Sequence, residues 1–193
     1  MKIPPTKKFL SIASCGIDCG LCPTYYTQGP SNCPGCGGPD FYNKHPSCSI
    51  LTCCVTKNGY ETCADCEDFP CERLKPWDRA DSFVTHMVCL KNLNEIKQNG
   101  MEKFINQQKE RIKILKLLLG SYNDGRSKSF FCIATALLPI ATLTNILEVV
   151  KKKIHRENID TRDTKSKSKL LKEIFNDHER NEGIELKLRK GVK

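Results

Sequence analysis

The 193-residue chain contains no run of eighteen consecutive apolar residues, so no membrane-spanning helix is expected. Hydrophobic residues make up only 39% of it, which predicts a modest core. The opening stretch Met1 to Leu10 carries lysines but no long apolar segment and does not read as a secretory signal. The expected setting is therefore cytoplasmic and reducing, where disulfides rarely persist. An odd cysteine count, 13, also argues against a closed disulfide framework. Neither a phosphate-binding glycine loop nor a Ser–His–Asp pattern is present, which removes the two most readable enzyme signatures.

Cysteine is what the chain has, and eleven of the thirteen lie between Cys15 and Cys71. They are Cys15, Cys19, Cys22, Cys33, Cys36, Cys48, Cys53, Cys54, Cys63, Cys66 and Cys71. The residues between them are short of core formers and rich in turn signals such as Gly29-Pro30, Pro34-Gly35 and Asn58-Gly59. A stretch like this cannot bury enough apolar surface to offset its conformational entropy, so something must crosslink it. Cys19–Cys22, Cys33–Cys36 and Cys63–Cys66 all have C-x2-C spacing. That spacing presents two thiolates on one tight turn, ready for a tetrahedral metal. Asn32-Cys33-Pro34-Gly35-Cys36-Gly37-Gly38 is the sharpest of the three: proline sets the turn and glycine lets the backbone wrap an ion.

The expected ligand set is Cys15, Cys19, Cys22, Cys33, Cys36, Cys48, Cys53, Cys63, Cys66 and Cys71. Eight thiolates would close two zinc sites, so two Zn²⁺ ions are expected, with an iron–sulfur cluster such as [4Fe–4S] as the alternative. Cys15-x3-Cys19-x2-Cys22 matches the cluster spacing of radical enzymes that use S-adenosylmethionine. Those enzymes need a large α/β barrel, and no alternation of strands and helices on that scale follows. Which cysteines share a metal stays open, as does the part of His45, which lies between Cys36 and Cys48. Cys53 and Cys54 are adjacent and do not suit one metal together. Cys89 and Cys132 sit among apolar residues at helical spacing and read as core.

From Trp77 onward the pattern becomes helical. Phe83, Met87, Leu90, Leu93 and Ile96 recur at three- and four-residue steps up to Gly100. Phe104, Ile105, Ile112, Leu115 and Leu119 form the next stripe, ending near Gly120. Further helices are expected over 127–138, over 142–153 with Thr142 or Thr144 as N-cap, and over 165–182 with Gly183 as stop. Short strands are expected near Phe9 to Ala13 and over Ile184 to Arg189. The fold class is thus mainly α with a small metal-stabilised cysteine-rich module and few short strands. Residues 1–76 form the module, 77–193 a helical domain, and the two are expected to pack as one unit.

Charge is uneven. Lys and Arg balance Asp and Glu over residues 1–100, and the whole net charge of +9 falls in 101–193. The plain reading is a solvated lysine-rich helical face, since acids alternate with the bases and aromatics are not interleaved. A protein or nucleic-acid partner at this basic half is the functional reading. Tyr122-Asn123-Asp124-Gly125-Arg126 reads first as a capping loop and second as a small polar site with Arg126 clamping an anion.

The chain resembles a prokaryotic cysteine-rich family catalogued as domain of unknown function 3795. The residues that carry the resemblance are Cys15-Gly-Ile-Asp-Cys19-Gly-Leu-Cys22, Cys33-Pro-Gly-Cys36, Cys48-Ser-Ile-Leu-Thr-Cys53 and Cys63-Ala-Asp-Cys66-Glu-Asp-Phe-Pro-Cys71. Asn123 to Cys132 and Glu182 to Lys190 also look like recurrent features of such proteins, which extends the resemblance over most of the chain. It implies a metal module and no established activity. Cys54 falls where the family more often has a small residue, which leaves it outside the ligand set. The function expected from sequence is a zinc-binding structural or interaction protein with closed thiolate sites. A thiol or iron–sulfur redox protein is the alternative, and an enzyme built on the 123–126 loop is a second one.

Overall fold

In the computed structural model, residues 7–190 are described; residues 1–6 of the expected leader lie outside them. The chain is mostly helical, with 55% of residues in helices. Among the described residues there are seven α-helices: α1 (Phe41–Lys44), α2 (Ser49–Leu51), α3 (Cys89–Asn99), α4 (Met101–Ser121), α5 (Lys128–Leu137), α6 (Ile140–Arg156) and α7 (Thr164–Glu182). Two compact units share them. One comprises the chain up to Lys109 and the closing segment from Leu188; the other is Glu110–Lys187.

In the first unit, single tight turns do the work of regular elements. Cys19–Leu21, Pro23–Tyr26 and Cys63–Asp65 are 3-10 turns, and α2 runs on into a π-helical stretch, Thr52–Lys57. Ile12, Phe41, Ile50, Leu51, Leu74, Leu93, Ile96 and Phe104 form the core, and Cys15, Cys19 and Cys36 are buried in the same cluster. The loop 15–22 is fixed by one buried carboxylate. Asp18 accepts hydrogen bonds from Asn92 Nδ2 of α3 at 3.1 Å and from Gln108 Nε2 of α4, while Asn92 also donates to the Gly16 carbonyl at 3.0 Å. Gly16 has φ +88°, and a Cβ there would overlap the Cys89 carbonyl. Only glycine allows this loop to lie so close to the start of α3.

The helical pattern from Trp77 is realised only from Cys89 onward. Side chains compete for the backbone upstream: Asp81 Oδ1 accepts from His86 N at 2.7 Å and from Thr85 Oγ1 at 3.4 Å. Phe83 and Met87 consequently stay exposed instead of joining a core stripe. Neither expected strand forms. Phe9 is held by Glu61 Oε1 at 2.8 Å, and Arg189 binds Asp81 through its backbone N–H at 2.7 Å and through Nη2 at 3.1 Å. Alternating residues without a neighbouring strand have no ladder to join.

The second unit is built from helix faces. Leu115, Leu118, Phe131, Leu138, Leu143, Leu171 and Phe175 are fully buried. Arg111 closes the C-terminus of α5 by donating to the carbonyls of Thr135 and Leu138 at 2.6 and 2.7 Å. The helix α6 starts at Ile140, directly after Pro139, so neither threonine caps it; Thr144 Oγ1 donates back to Ile140 O. Gly183 ends α7 in the left-handed conformation, and Asp163 caps its start.

Candidate metal centre

All ten expected ligands lie in the first unit, and they line two cavities. Cys15, Cys19, Cys22, Cys33, Cys36 and Cys48 surround a cavity of about 220 Å³, together with His45, Trp77, Phe83 and His86. Cys53, Cys63, Cys66 and Cys71 line a smaller one of about 40 Å³, which Cys54 also lines. The chain order of the cysteines divides cleanly between Cys48 and Cys53. The turn at Cys48–Leu51 is the pivot: Cys48 Sγ accepts from Leu51 N at 3.5 Å, and Thr52 then leads into the second group. Among the described residues no three His, Cys, Asp or Glu side chains already converge in an arrangement that could hold one metal ion. The thiols ring their cavities instead of closing on a point.

Backbone and side-chain donors face the sulfurs. Thr24 Oγ1 lies 3.0 Å from Cys22 Sγ, and the N–H groups of Thr24 and Tyr25 support the same sulfur. Backbone donors at Ile17, Cys36 and Ser14 serve Cys15, Cys19 and Cys36 respectively. This is the arrangement that tight turns of C-x2-C type supply, and it favours thiolate over thiol. Two buried donors, Trp77 Nε1 and Ser14 Oγ, have no hydrogen-bond partner. Both lie near sulfurs, Trp77 beside Cys15 and Ser14 beside Cys36 and Cys54. An orphaned buried donor is costly unless an acceptor forms, and a metal-bound thiolate is such an acceptor.

Burial opposes this. It pushes the Cys15 thiol up to about 12 and raises Cys19, Cys22 and Cys36 as well. Packing several thiolates together adds like-charge repulsion. With no cation, these groups hold their protons; a bound metal ion would supply the missing positive charge and displace them. The donor set, the orphaned donors and the cysteine-rich cavity linings fit a thiophilic metal or a metal–sulfur cluster. Cys54 Sγ donates to Tyr60 O at 3.5 Å, and its proximity to Cys63 pushes the Cys63 thiol up and the Cys54 thiol down.

Further residues complete the site, of which Lys7 carried no sequence signal. The Lys7 side chain is fully buried, pairs with Glu61 Oε1 at 3.1 Å, and its charge lowers the pKa of both Cys36 and Cys54. His86 stacks on Trp77 with ring centroids 5.0 Å apart. Its Nδ1 lies 3.1 Å from Trp77 O and its Nε2 3.0 Å from Ser82 Oγ. Burial pushes its pKa down, so it is a neutral wall residue with both ring nitrogens engaged. His45 also lines the larger cavity, stacked on Phe41 at 4.7 Å with Nδ1 turned to Pro46 O at 3.1 Å. Cys89 and Cys132 are buried, as expected for core thiols.

The 123–126 loop belongs to the second unit. Asp124 Oδ1 accepts from Arg126 N at 3.0 Å and from Ser127 Oγ at 2.5 Å, and Oδ2 faces Lys172 Nζ at 3.4 Å. Ser127 Oγ in turn lies 2.9 Å from Ser168 Oγ of α7. The loop's acid therefore ties α5 to α7.

Residues 11–76 match the model of a family described as "Protein of unknown function (DUF3795)". The match covers every expected ligand and stops before α3; the features noted at 123–132 and 182–190 lie outside it. No curated protein matches the chain. No solved structure matches it.

Proposed function

We propose that the first unit is a metal–thiolate module with two centres, and that its task is to present a metal-organised surface to a partner. The carrying observation is the division of the ten cysteines between two separate cavities, with orphaned donors aimed at sulfurs. Cys15, Cys19, Cys22, Cys33, Cys36 and Cys48 would serve the first centre; Cys53, Cys63, Cys66 and Cys71 would serve the second. Zinc suits the small second cavity, where four thiolates leave no open position for chemistry. Bound there, zinc would supply charge and crosslinks; the chain's own N–H groups, Trp77 and Ser14 hold the thiolates ready.

A second reading attaches to the larger cavity. Six thiols around about 220 Å³ exceed what one four-thiolate ion needs. An iron–sulfur cluster would use that room, and the module would then carry electrons. Elemental analysis of protein purified without oxygen, with its visible spectrum, separates the two. About two zinc ions and no colour support the structural reading. Iron with sulfide and absorption near ~400 nm support the redox reading. A chain free of metal overturns both.

The basic excess of residues 101–193 supports contact with an acidic protein surface or nucleic acid. Binding to a polyanion that weakens steeply with salt is the expected result; its absence at low salt removes this part of the reading.

A further inference from the structure

Cys53 and Cys54 are neighbours on one helical stretch, Thr52–Lys57. Successive residues of this π-helical stretch project in different directions, roughly 80° apart, so the two adjacent thiols do not suit one ion together although both line the small cavity. The family resemblance favours Cys53, because Cys54 falls where the family more often has a small residue. The packing favours the other. Cys54 is 3% exposed, whereas Cys53 is only half-buried. Asn58 Nδ2 approaches Cys53 Sγ at 3.9 Å from the exposed side. Cys54, whose Sγ donates to Tyr60 O at 3.5 Å, lies in the lining of the small cavity beside Cys63, the first cysteine of the third C-x2-C turn. That turn is rigid: Thr62 is fully buried, its N–H donates to Asp65 Oδ2 at 2.9 Å, and Cys66 N donates to Cys63 O at 3.2 Å. Four sulfurs about 2.3 Å from zinc stand roughly 3.8 Å from one another, which is the contact range of a thiol pair.

We infer that Cys54, and not Cys53, completes the second centre with Cys63, Cys66 and Cys71, giving a closed four-thiolate zinc site. The inference rests on the two-centre reading above and changes its ligand set. Cys53 becomes a surplus thiol at the rim. Ser14, whose backbone N–H serves Cys36, would then give its single hydroxyl proton to Cys54, which makes it the shared link between the two centres.

The test uses the full-length chain loaded with Zn²⁺ under anaerobic conditions. Native mass spectrometry counts zinc per chain in wild type, Cys53→Ser and Cys54→Ser. The expected result is an unchanged count in Cys53→Ser and one zinc fewer in Cys54→Ser. The reverse pattern overturns the assignment while leaving two centres in place. An equal count in both variants also overturns it. A wild type that takes up no zinc overturns the two-centre reading itself, and the assignment with it. Alkylation of the zinc-loaded wild type, mapped by peptide mass, needs no variant to fold. Cys53 should be modified at least tenfold faster than Cys54; equal rates or faster modification of Cys54 refute the inference.

Discussion

Of the largest fully buried side chains of the first unit, Ile12, Leu21, Leu51 and Leu74 sit singly in turns and one-turn helices, and Leu93 lies on α3. Cysteines fill the space around them, at 5% exposure for Cys15 and 7% for Cys36. The second unit buries Leu115, Leu118, Phe131, Leu138, Leu143, Leu171 and Phe175 on continuous helix faces. Helix faces repeat every turn and can exclude water with hydrocarbon alone. Turns cannot, because each buried loop residue brings backbone groups that need partners. The first unit meets that need with sulfur, capping side chains and a buried carboxylate, so its integrity depends on what the sulfurs bind.

Metal removal is the strongest way to break this contrast. A structural zinc site contributes roughly 10–16 kcal/mol of apparent binding free energy at neutral pH. Stripping metal with a strong chelator should collapse amide protection over residues 11–76 while the helices of Glu110–Lys187 keep theirs. Hydrogen exchange followed by mass spectrometry reads both in one experiment. Equal loss in both units, or no loss in either, would mean that sulfur chemistry does not divide them.

The converse experiment targets Phe175, which is 1% exposed and packs edge-on against Phe130 at 5.5 Å. Phe175→Ala should cost about 3–5 kcal/mol. The loss should appear as lower protection in α5 to α7, with metal content of the first unit unchanged. Metal loss in this variant would show that the two units are not energetically separate.

Gly16→Ala sharpens the comparison inside the first unit. Its positive φ costs a side chain about 1–2 kcal/mol, and the new methyl also meets the Cys89 carbonyl and Leu93 Cγ. Gly59→Ala shares the positive φ, at +68°, but meets nothing within 4 Å. Thermal melts should place Gly16→Ala well below Gly59→Ala, with total costs of roughly 2–4 and about 1–2 kcal/mol. Equal melts would mean that the loop at Cys15–Cys22 can move off α3 freely.

Much of the second unit was legible beforehand because apolar residues at three- and four-residue steps have one stable solution. Gly100 and Gly183 marked helix ends for the same local reason, and Asp124 was readable as a loop acid beside a glycine. The grouping of cysteines was legible only as a cluster. Which thiols share a cavity depends on where the chain reverses, and the reversal at Cys48–Leu51 has no glycine or proline to announce it. Lys7, Ser14 and Trp77 were silent because their roles arise from residues dozens of positions away. The stretch 77–88 misled because Phe83 and Met87 have helical spacing, while Asp81 spends its carboxylate on the backbone of His86 and on Arg189.

That last interaction carries the smallest predicted effect and a distinct pH signature. The Asp81 side chain is fully buried against Arg189. Burial alone would raise its pKa, but the hydrogen bonds from Arg189 and from His86 N outweigh it and hold the carboxyl below its ordinary value. The unfolded chain therefore binds this proton more readily than the folded one. Stability from Asp81 is fully present above the ordinary carboxylate range and is lost as pH falls through the lowered folded value. His86, whose pKa burial pushes down, gives a loss of the same sign beginning nearer its ordinary value, so the two separate on the pH axis. Asp81→Asn should cost about 1–3 kcal/mol at neutral pH, as expected for lost hydrogen bonds to a charged group. It should also flatten the acid limb below about pH 4, where an ordinary Asp titrates, while keeping the histidine step. Urea midpoints from pH 3 to 8 for wild type and variant test this. Parallel curves with an undiminished acid limb would mean that the closing segment is held to the first unit by something other than this pair.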